Sequence, residues 1–239
     1  MSTKKVNQFG ENDERPMTTD RWKEKWNEGK TRFHMPKVHP MLQKHVDHIL
    51  EDYNKTVFMP MSGKSLDLNW LAEKGCKVIG NDIADLGCQQ FFQENGIPFK
   101  KEAIGTIPGT VYQSTDQNLN IIMYCCDFFS LHRDILGDID AIWDRGSLAA
   151  IEIEDRKRYH RVISDVSRPK TKVLMEVFHL DHDIFVGPPH DFQKEDVFDL
   201  FGKDFTVEQI DEKDCLGEWQ KEWGVKYFIS QVFFMKKKC

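Results

Sequence analysis

The sequence of 239 residues lacks several features that define other classes of protein. It contains no apolar run long enough to cross a bilayer, and no apolar segment follows the lysines near its start, as a signal peptide requires. Its 33 lysine and arginine residues are outnumbered by 39 acidic residues, which gives a formal net charge of −6. The chain therefore lacks the positive field that attracts nucleic acid or anionic lipid. We expect a soluble, cytoplasmic protein that binds neither nucleic acid nor membranes.

The cysteine pattern lacks the spacings of a disulfide framework or a zinc site. There is no CxxC pair, and the adjacent Cys125 and Cys126 fall in an apolar run, where successive side chains point to opposite faces of a strand. The segment His-Leu-Asp-His at 179–182 fits a substrate loop better than a metal site. We therefore expect reduced thiols and no bound metal.

No stretch rich in proline, glycine and serine divides the chain, and no internal repeat occurs. Residues 1–18 are polar without periodicity, which predicts a flexible arm, and residues 19–239 are long enough to form one domain with a full core. We expect a monomer. What the sequence does have is an excess of aromatic residues, with six Trp and 17 Phe, whose flat surfaces suit a small-molecule site.

Short apolar runs alternate with helical patterns along most of the chain. This order predicts an α/β fold with a doubly wound, mostly parallel sheet. The runs lie at residues 56–61, 76–82, 120–127, 139–144 and 172–178. The segments 205–210 and 225–235 alternate in polarity and predict an antiparallel hairpin at one edge. A helix capped by Thr19 or Asp20 carries Trp22 and Trp26 on one face and begins an N-terminal helical cover.

Ligands of an open parallel sheet bind beyond the carboxyl ends of its strands. The first strand ends in Met61-Ser62-Gly63-Lys64, which has one glycine and is not GxGxxG, so a dinucleotide cradle and a nicotinamide-dependent dehydrogenase are disfavoured. Asp82 ends the second strand, 19 residues after Gly63. Its carboxylate either accepts hydrogen bonds from ribose hydroxyls or caps the next helix near Ala84. A nucleoside without phosphates, such as S-adenosylmethionine, fits the first possibility.

The next two strand ends also carry polar and aromatic residues. Asp127 and Phe128 suit the edge and the face of an adenine ring. Asp144 and Arg145 either orient a ligand, with Arg145 neutralising a carboxylate or positioning a substrate, or form an ordinary surface ion pair. The sequence pattern alone leaves both possibilities open.

Five motifs taken together resemble the thiopurine S-methyltransferase family over nearly the whole chain after residue 18. They are W-x-x-x-W-x-x-G-K-T-x-F-H from Trp22, F-x-P-x-S-G-K from Phe58, Y-C-C-D from Tyr124, I-W-D-R-G-S-L-A-A-I from Ile142 and G-P-P from Gly187. The resemblance implies a Rossmann-like class I methyltransferase fold. It also implies S-adenosylmethionine as methyl donor, S-adenosylhomocysteine as product, no metal, and a small aromatic or heterocyclic thiol as acceptor.

The resemblance also assigns roles to individual residues. It places Arg145 in the catalytic pocket. On physical grounds we expect Arg145 to stabilise the acceptor thiolate or to deprotonate the thiol indirectly through an ordered water, and Asp144 to hold the Arg145 guanidinium. The residues implied at the donor are Trp22, Trp26, Phe33, Met61, Ser62, Gly63, Asp82, Asp127, Phe128 and Arg145. The residues implied at the acceptor are Phe33, Arg145, Pro188 and Trp219.

Four positions depart from the vertebrate members of that family. Asp82 replaces a Glu, Ser62 a Cys and Asp127 a Ser, and each of these changes keeps a residue able to serve the donor. Trp219 replaces an arginine on the acceptor side, so this departure affects the expected acceptor specificity and not the reaction class. Alternative acceptors are aliphatic thiols, hydrosulfide, halides, and selenium or tellurium compounds. A non-catalytic nucleoside-binding relative is a further alternative.

Four of the nine histidines, at positions 34, 179, 182 and 190, flank the predicted site, so a general base among them is conceivable. An aromatic thiol is largely ionised near neutral pH, however, and needs no strong base. The expected reaction is an in-line displacement for which the protein supplies proximity, alignment and exclusion of water.

Overall fold

A mixed sheet runs through the centre of the protein, in a computed structural model that describes residues 6–181 and 183–239. Within these residues the sheet has nine strands in the order β3-β4-β5-β2-β1-β6-β7-β9-β8. The strands are β1 Thr56–Met59, β2 Lys77–Asp82, β3 Phe99–Ala103, β4 Thr110–Ser114, β5 Ile121–Cys125, β6 Ile139–Arg145, β7 Ser167–Leu180, β8 Phe205–Asp214 and β9 Phe228–Lys237.

The helices lie before, between and after these strands. They are α1 Thr19–Asn27, α2 Pro40–Ile49, α3 Leu66–Glu73, α4 Asp85–Glu94, α5 Arg133–Leu136, α6 Ser147–Ala150, α7 Arg156–Val166, α8 Lys194–Phe201 and α9 Glu218–Glu222. Two short 3-10 helices cover Phe128–Ser130 and Ile153–Asp155. Within the described ranges, no helix combines the length and the apolar character needed to cross a membrane.

The predicted sheet is confirmed in its main features. Strands β5, β2, β1, β6 and β7 pair in parallel, and β9 and β8 follow β7 in antiparallel order at one edge. The opposite edge holds the antiparallel strands β3 and β4, which the sequence analysis missed. Strand β3 reads Phe-Lys-Lys-Glu-Ala and is exposed after its first residue, so it has no apolar alternation to reveal it.

Helices cover both faces of the sheet. On β6, Ile142 packs into a cluster with Tyr159 of α7 and Phe201 of α8. Its neighbour Trp143 belongs to a second cluster, together with residues of α2, α3 and α4 such as Phe91. Because successive side chains of a strand point to opposite faces, the two clusters form two cores, one on each side of the sheet.

The N-terminal segment contacts the body of the protein. Val6 forms an isolated parallel bridge with Phe185, and the Met17 N–H donates to the Glu152 carboxylate at 2.7 Å. Helix α1 is capped by Thr18, whose hydroxyl accepts from the Arg21 N–H, so the predicted cap at Thr19 or Asp20 is wrong by one or two residues. The division into an arm over residues 1–18 and a domain over 19–239 stays a prediction, and residues 1–5 lie outside the described part.

Candidate active site

A cavity of about 600 Å³ lies at the carboxyl ends of the parallel strands, which is where the topology predicts a ligand. Its volume is typical of a small-molecule or cofactor site. All but one of the predicted site residues line it, namely Trp22, Trp26, Phe33, Met61, Ser62, Gly63, Asp82, Asp127, Phe128, Arg145, Pro188 and Trp219. The exception is Asp144, which is buried in the strand below.

The turn after β1 is held to the end of β2 by the Asp82 carboxylate. The Gly63 N–H donates to one carboxylate oxygen at 2.9 Å, and the Ala84 N–H donates to the other, also at 2.9 Å. Asp82 thus accepts from the backbone just before α4, as expected if it caps that helix. It also lines the cavity, as expected if it binds a ligand. Burial raises the pKa of Asp82 to about 6, although the two N–H donors favour its charged form.

The aromatic cover packs directly on that turn. Gly63 has φ +51°, and a Cβ there would lie 2.9 Å from the Trp26 ring and 2.6 Å from His34 Nε2. Trp26 also covers Gly87, and its ring centroid lies 5.9 Å from that of Phe33. Trp22 contacts the same Phe33 ring edge-on at 5.8 Å. Glycine at position 63 is therefore required both by its backbone angle and by the close approach of the cover.

Of the four predicted histidines, His34 and His179 have hydrogen-bond partners, and His190 Nε2 lies 3.6 Å from the Glu152 carboxylate. His34 Nε2 accepts from the Lys64 N–H at 3.2 Å, and burial, followed by the charges of Arg145 and Lys64, lowers the pKa of His34 to about 3. His34 is therefore neutral at physiological pH and has no free lone pair to act as a base. His179 pairs with Asp191, and His182 lies outside the described residues.

The predicted adenine residues lie beyond β5. Asp127 caps the 3-10 helix by accepting from the Phe129 N–H at 2.9 Å. The Phe128 ring is buried and stacks on Tyr159 at a centroid distance of 4.7 Å, and Phe128 also lines the cavity. Its orientation is fixed by the core of the protein.

Asp144 does not hold the Arg145 guanidinium, so this prediction is wrong. The Asp144 carboxylate accepts from the Tyr159 hydroxyl at 2.5 Å and from the Ser147 N–H at 3.2 Å. Burial raises its pKa to about 6. The physical reason is the strand itself, because neighbouring residues on β6 point to opposite faces of the sheet. Asp144 stabilises the turn from β6 into α6 from below.

The groups that hold Arg145 come from other elements. Its Nη1 donates to the Phe33 carbonyl at 2.8 Å, and its Nε lies 3.7 Å from Oε2 of Glu176. Arg145 and Glu176 are register partners on the parallel strands β6 and β7, so their side chains lie side by side. Glu176 is not among the residues predicted from the sequence, although it is the only acidic residue in the apolar run 172–178.

The acceptor side carries a second arginine that the sequence analysis missed. The Arg32 guanidinium lies over the Trp219 ring, 5.0 Å from its centroid, and Nη1 of Arg32 is 3.2 Å from the Glu222 carboxylate. Trp219 packs edge-on against Trp223 at 4.9 Å. A cation is thus present beside Trp219, the position where the family resemblance predicts the loss of an arginine. Arg32 falls on a variable position of the tryptophan motif, so the motif gave no signal for it.

In the described part of the chain, no group of three or more His, Cys, Asp or Glu side chains is arranged to hold a metal ion. The cavity instead combines a carboxylate at each of two strand ends with a cover of indole and phenyl rings. Carboxylates accept from sugar hydroxyls and amines, and indole faces attract cations. This combination of carboxylates and aromatic rings fits a nucleoside that carries a positive charge.

A family model described as thiopurine S-methyltransferase matches residues 17–238. The chain belongs to the thiopurine S-methyltransferase family. It is 35% identical to the thiopurine S-methyltransferase of Bos taurus over 227 residues, covering 94% of this chain and 92% of the relative. It is 34% identical to that of Panthera leo over 226 residues, covering 94% and 91% of the two chains.

Solved structures share the fold at much lower sequence identity. The 1,6-didemethyltoxoflavin-N1-methyltransferase of Burkholderia thailandensis, solved with bound 1,6-didemethyltoxoflavin and S-adenosylhomocysteine, superimposes with a TM-score of 0.60 at 15% identity. The match covers 92% of this chain and 87% of that one. A structure from work on thioacetal formation in echinomycin biosynthesis gives a TM-score of 0.65 at 14% identity, covering 92% and 93%. The architecture is thus shared well beyond the thiopurine S-methyltransferase family.

Proposed function

We propose that this protein transfers a methyl group from S-adenosylmethionine to the sulfur of small aromatic or heterocyclic thiols and releases S-adenosylhomocysteine. The observation that carries the proposal is the single cavity that brings Asp82, Asp127 and Arg145 together beneath the aromatic cover. Membership of the thiopurine S-methyltransferase family supports the same reaction.

The donor would be held by the side of the cavity formed by β1, β2 and β5. Asp82 would accept from the ribose hydroxyls, and Asp127 with Phe128 would contact the adenine. Met61, Ser62 and Gly63 would supply the turn, and Arg145 would border the reacting end. When bound, S-adenosylmethionine supplies an electrophilic methyl group on a sulfonium. The indole rings of the cover attract such a cation, each by about 0.5–2 kcal/mol within about 6 Å.

The protein's own contribution to the transfer is alignment and electrostatics. Arg145, fixed by the Phe33 carbonyl, presents a permanent positive charge to the acceptor side of the cavity. That charge stabilises a thiolate and thereby raises the fraction of acceptor ready to react. The cover of Trp22, Trp26 and Phe33 excludes water, which strengthens this interaction. Asp144 would act only by holding the turn that follows Arg145.

The acceptor would lie between Phe33, Arg145, Pro188 and Trp219, which all line the cavity. Phe33 and Trp219 offer ring faces for an aromatic acceptor. Arg32 over Trp219 places a second cation at the outer side of this region. The acceptor site would thus be aromatic on its walls, and each of its two arginines lies beside a carboxylate, Arg32 beside Glu222 and Arg145 beside Glu176.

A panel of nucleophiles with labelled methyl donor tests this function. Thiopurines and thiophenols should be methylated with kcat/KM values at least tenfold above those of aliphatic thiols, hydrosulfide, halides, selenite and tellurite. A preference for one of the non-aromatic acceptors would refute the proposed acceptor class while keeping the reaction. Tight binding of S-adenosylhomocysteine without transfer to any acceptor would instead indicate a non-catalytic relative.

We further propose a cytoplasmic monomer with no nucleic-acid or membrane partner. The acidic composition supports only the absence of nucleic-acid and membrane partners, because a formal net charge of −6 gives no general attraction to anionic polymers or lipid surfaces. Sedimentation velocity at micromolar concentration should give a single species near the chain mass of 28.1 kDa. A dimer would contradict the proposed state.

A further inference from the structure

We propose that Glu176 is a specificity-determining residue that makes the acceptor site select aromatic acceptors without a further negative charge. The proposal deepens the proposed function, since it concerns the acceptor side of the same cavity. It rests on the place of Glu176 in the sheet, on its burial, and on the polar atoms around its carboxylate.

The sheet register places Glu176 beside the group proposed to face the acceptor. Arg145 and Glu176 are Cα partners on β6 and β7, and both line the cavity. Glu176 is 2% exposed, whereas the Arg145 side chain is 30% exposed. The carboxylate is therefore fixed behind the arginine, and it acts on a ligand by way of the field around Arg145 rather than by contact.

The hydrogen bonds of the carboxylate are incomplete. Oε1 accepts from the Ser230 hydroxyl at 2.5 Å, whereas Oε2 has no hydrogen-bond donor among the described residues. Oε2 lies 3.7 Å from Arg145 Nε, which also lacks a hydrogen-bond partner within the described ranges. The distance between Glu176 Oε2 and Arg145 Nε is short enough for an ion pair but too long for a hydrogen bond. The Glu176 carboxylate therefore compensates the charge of Arg145 without bonding to it.

The other titratable groups around Glu176 do not replace this compensation. His39 Nε2 lies 3.3 Å from Oε2, and burial lowers the pKa of His39 to about 4, so this imidazole is neutral. The His39 backbone N–H donates to the Asp67 carboxylate at 2.7 Å and holds the residue in place. Burial raises the pKa of the Cys215 thiol, and the charge of Glu176 raises it further, so this thiol is neutral as well. Burial raises the pKa of Glu176 itself, whereas the charge of Arg145 and the hydrogen bond from Ser230 oppose that shift, so Arg145 is the cation that favours the charged carboxylate.

A net-neutral arginine–carboxylate pair has a consequence for ligand choice. Arg145 alone would attract any anionic acceptor, but Glu176 behind it cancels much of that attraction at the distance of a ligand substituent. The pair still orients a dipolar or neutral ring, because the guanidinium lies nearer to the cavity than the carboxylate. The acceptor site should therefore hold uncharged aromatic rings in preference to those with an anionic substituent.

The test compares benzoate with benzamide, two rings of the same shape that differ in charge. Binding of each is measured by calorimetry at pH 8 to the full chain saturated with S-adenosylhomocysteine. In Glu176→Gln the affinity ratio of benzoate to benzamide should rise about tenfold over the unmodified protein. Glu176→Asp, which keeps the charge, should stay within threefold of the original ratio. Glu208→Gln removes an exposed carboxylate on β8 and serves as the matched control, with no change in the ratio.

An unchanged ratio in Glu176→Gln, or an equal loss of affinity for both ligands, would overturn the proposal, because a merely structural role affects both rings alike. If the Gln variant does not fold, Glu176→Met offers a side chain of similar length without charge, and the same criterion applies. The measurement needs no turnover. Failure of the nucleophile panel would therefore refute the proposed function, whereas the ligand ratio would still decide the role of Glu176.

Discussion

Two parts of the cavity differ in how their charged groups are held. The donor half is the side proposed to hold the methyl donor, with Asp82 and Asp127, and the acceptor half is the side proposed to hold the acceptor, with Arg145 and Glu176. In the donor half, the Asp82 carboxylate accepts from the backbone at Gly63 and Ala84, and Asp127 accepts from Phe129. In the acceptor half, Arg145 Nε and Glu176 Oε2 have no hydrogen-bond partner among the described residues. The donor half is fixed by the chain itself, whereas the acceptor half keeps hydrogen-bonding capacity that the protein does not use.

This difference matches the two tasks proposed for the halves. A donor that is the same in every turnover benefits from groups oriented in advance, since less ordering then opposes binding. An acceptor class with varied rings benefits from walls of aromatic residues and from a few charges that act over several ångströms. Substitutions in the two halves should therefore affect different measured quantities.

The largest expected effect is that of Arg145→Ala. Removal of the charge that stabilises the thiolate should lower kcat/KM for thiophenol by about 10²–10³-fold. The affinity for S-adenosylhomocysteine should change by less than threefold, since the donor half keeps its own hydrogen bonds. Initial-rate assays with labelled methyl donor measure kcat/KM, and calorimetry measures the affinity for S-adenosylhomocysteine.

Arg168→Ala is the control for the Arg145 substitution, because Arg168 pairs with Asp138 and Asp140 at the opposite end of the sheet. Its kcat/KM should equal that of the unmodified protein. Near-normal turnover in Arg145→Ala would contradict the proposed role of Arg145. A loss of donor affinity as large as the loss of turnover would contradict the proposed independence of the two halves.

Asp82→Asn should lower the affinity for the donor product, which Arg145→Ala leaves nearly unchanged. The amide can accept at one oxygen only, so its NH₂ group would face a backbone N–H, and a ribose hydroxyl would lose a charged acceptor. We expect affinity for S-adenosylhomocysteine to fall about 30-fold, measured by calorimetry. Asp85→Asn is the matched control, since Asp85 pairs with Lys101 outside the cavity, and its affinity should stay within twofold. Equal losses in both variants would contradict the ribose role of Asp82.

Gly63→Ala tests whether the cover seals the donor half. A left-handed φ costs a non-glycine residue about 1 kcal/mol, and the new Cβ would also crowd Trp26 and His34. Gly96→Ala is the control, because Gly96 has φ +65° but nothing within 4 Å of its would-be Cβ. Gly63→Ala should lower the free energy of unfolding by about 1–2 kcal/mol more than Gly96→Ala in denaturant titrations. Equal losses would mean that the cover does not press on the turn.

The smallest expected effect is the pH dependence of donor binding. The pKa of Asp82 is raised to about 6, above its usual 3.8, so the carboxyl is protonated below about pH 6 in the ligand-free protein. Sugar hydroxyls that donate to the carboxylate favour its ionised form. Affinity for S-adenosylhomocysteine should thus fall up to about tenfold from pH 7 to pH 5, with proton release on binding near pH 5.5. Calorimetry in two buffers measures both, and Asp82→Asn should abolish the proton release.

Much of the fold and the donor half was predictable because strand ends carry a local signal. Asp82, Asp127 and Arg145 each end a buried apolar run, and the topology of a parallel sheet brings such ends together. Strand β3 gave no such signal, because this charged edge strand is exposed after its first residue. Strand β4 has only five residues, of which Tyr112 alone is buried, so it contains no apolar run. The Asp144 contact was predicted from sequence adjacency, although adjacent strand residues point apart.

From the sequence alone follow the family resemblance, the parallel core of the sheet with its strand ends, and most of the residues proposed to serve the ligand. Which partner each charge meets is set only in the folded chain. Glu176 reaches Arg145 by strand register across 31 positions of sequence, and Arg32 reaches Trp219 across 187 positions. The physical reason is that apolar periodicity and turn residues act locally, whereas the pairing of buried charges depends on which strands and loops become neighbours in the folded chain.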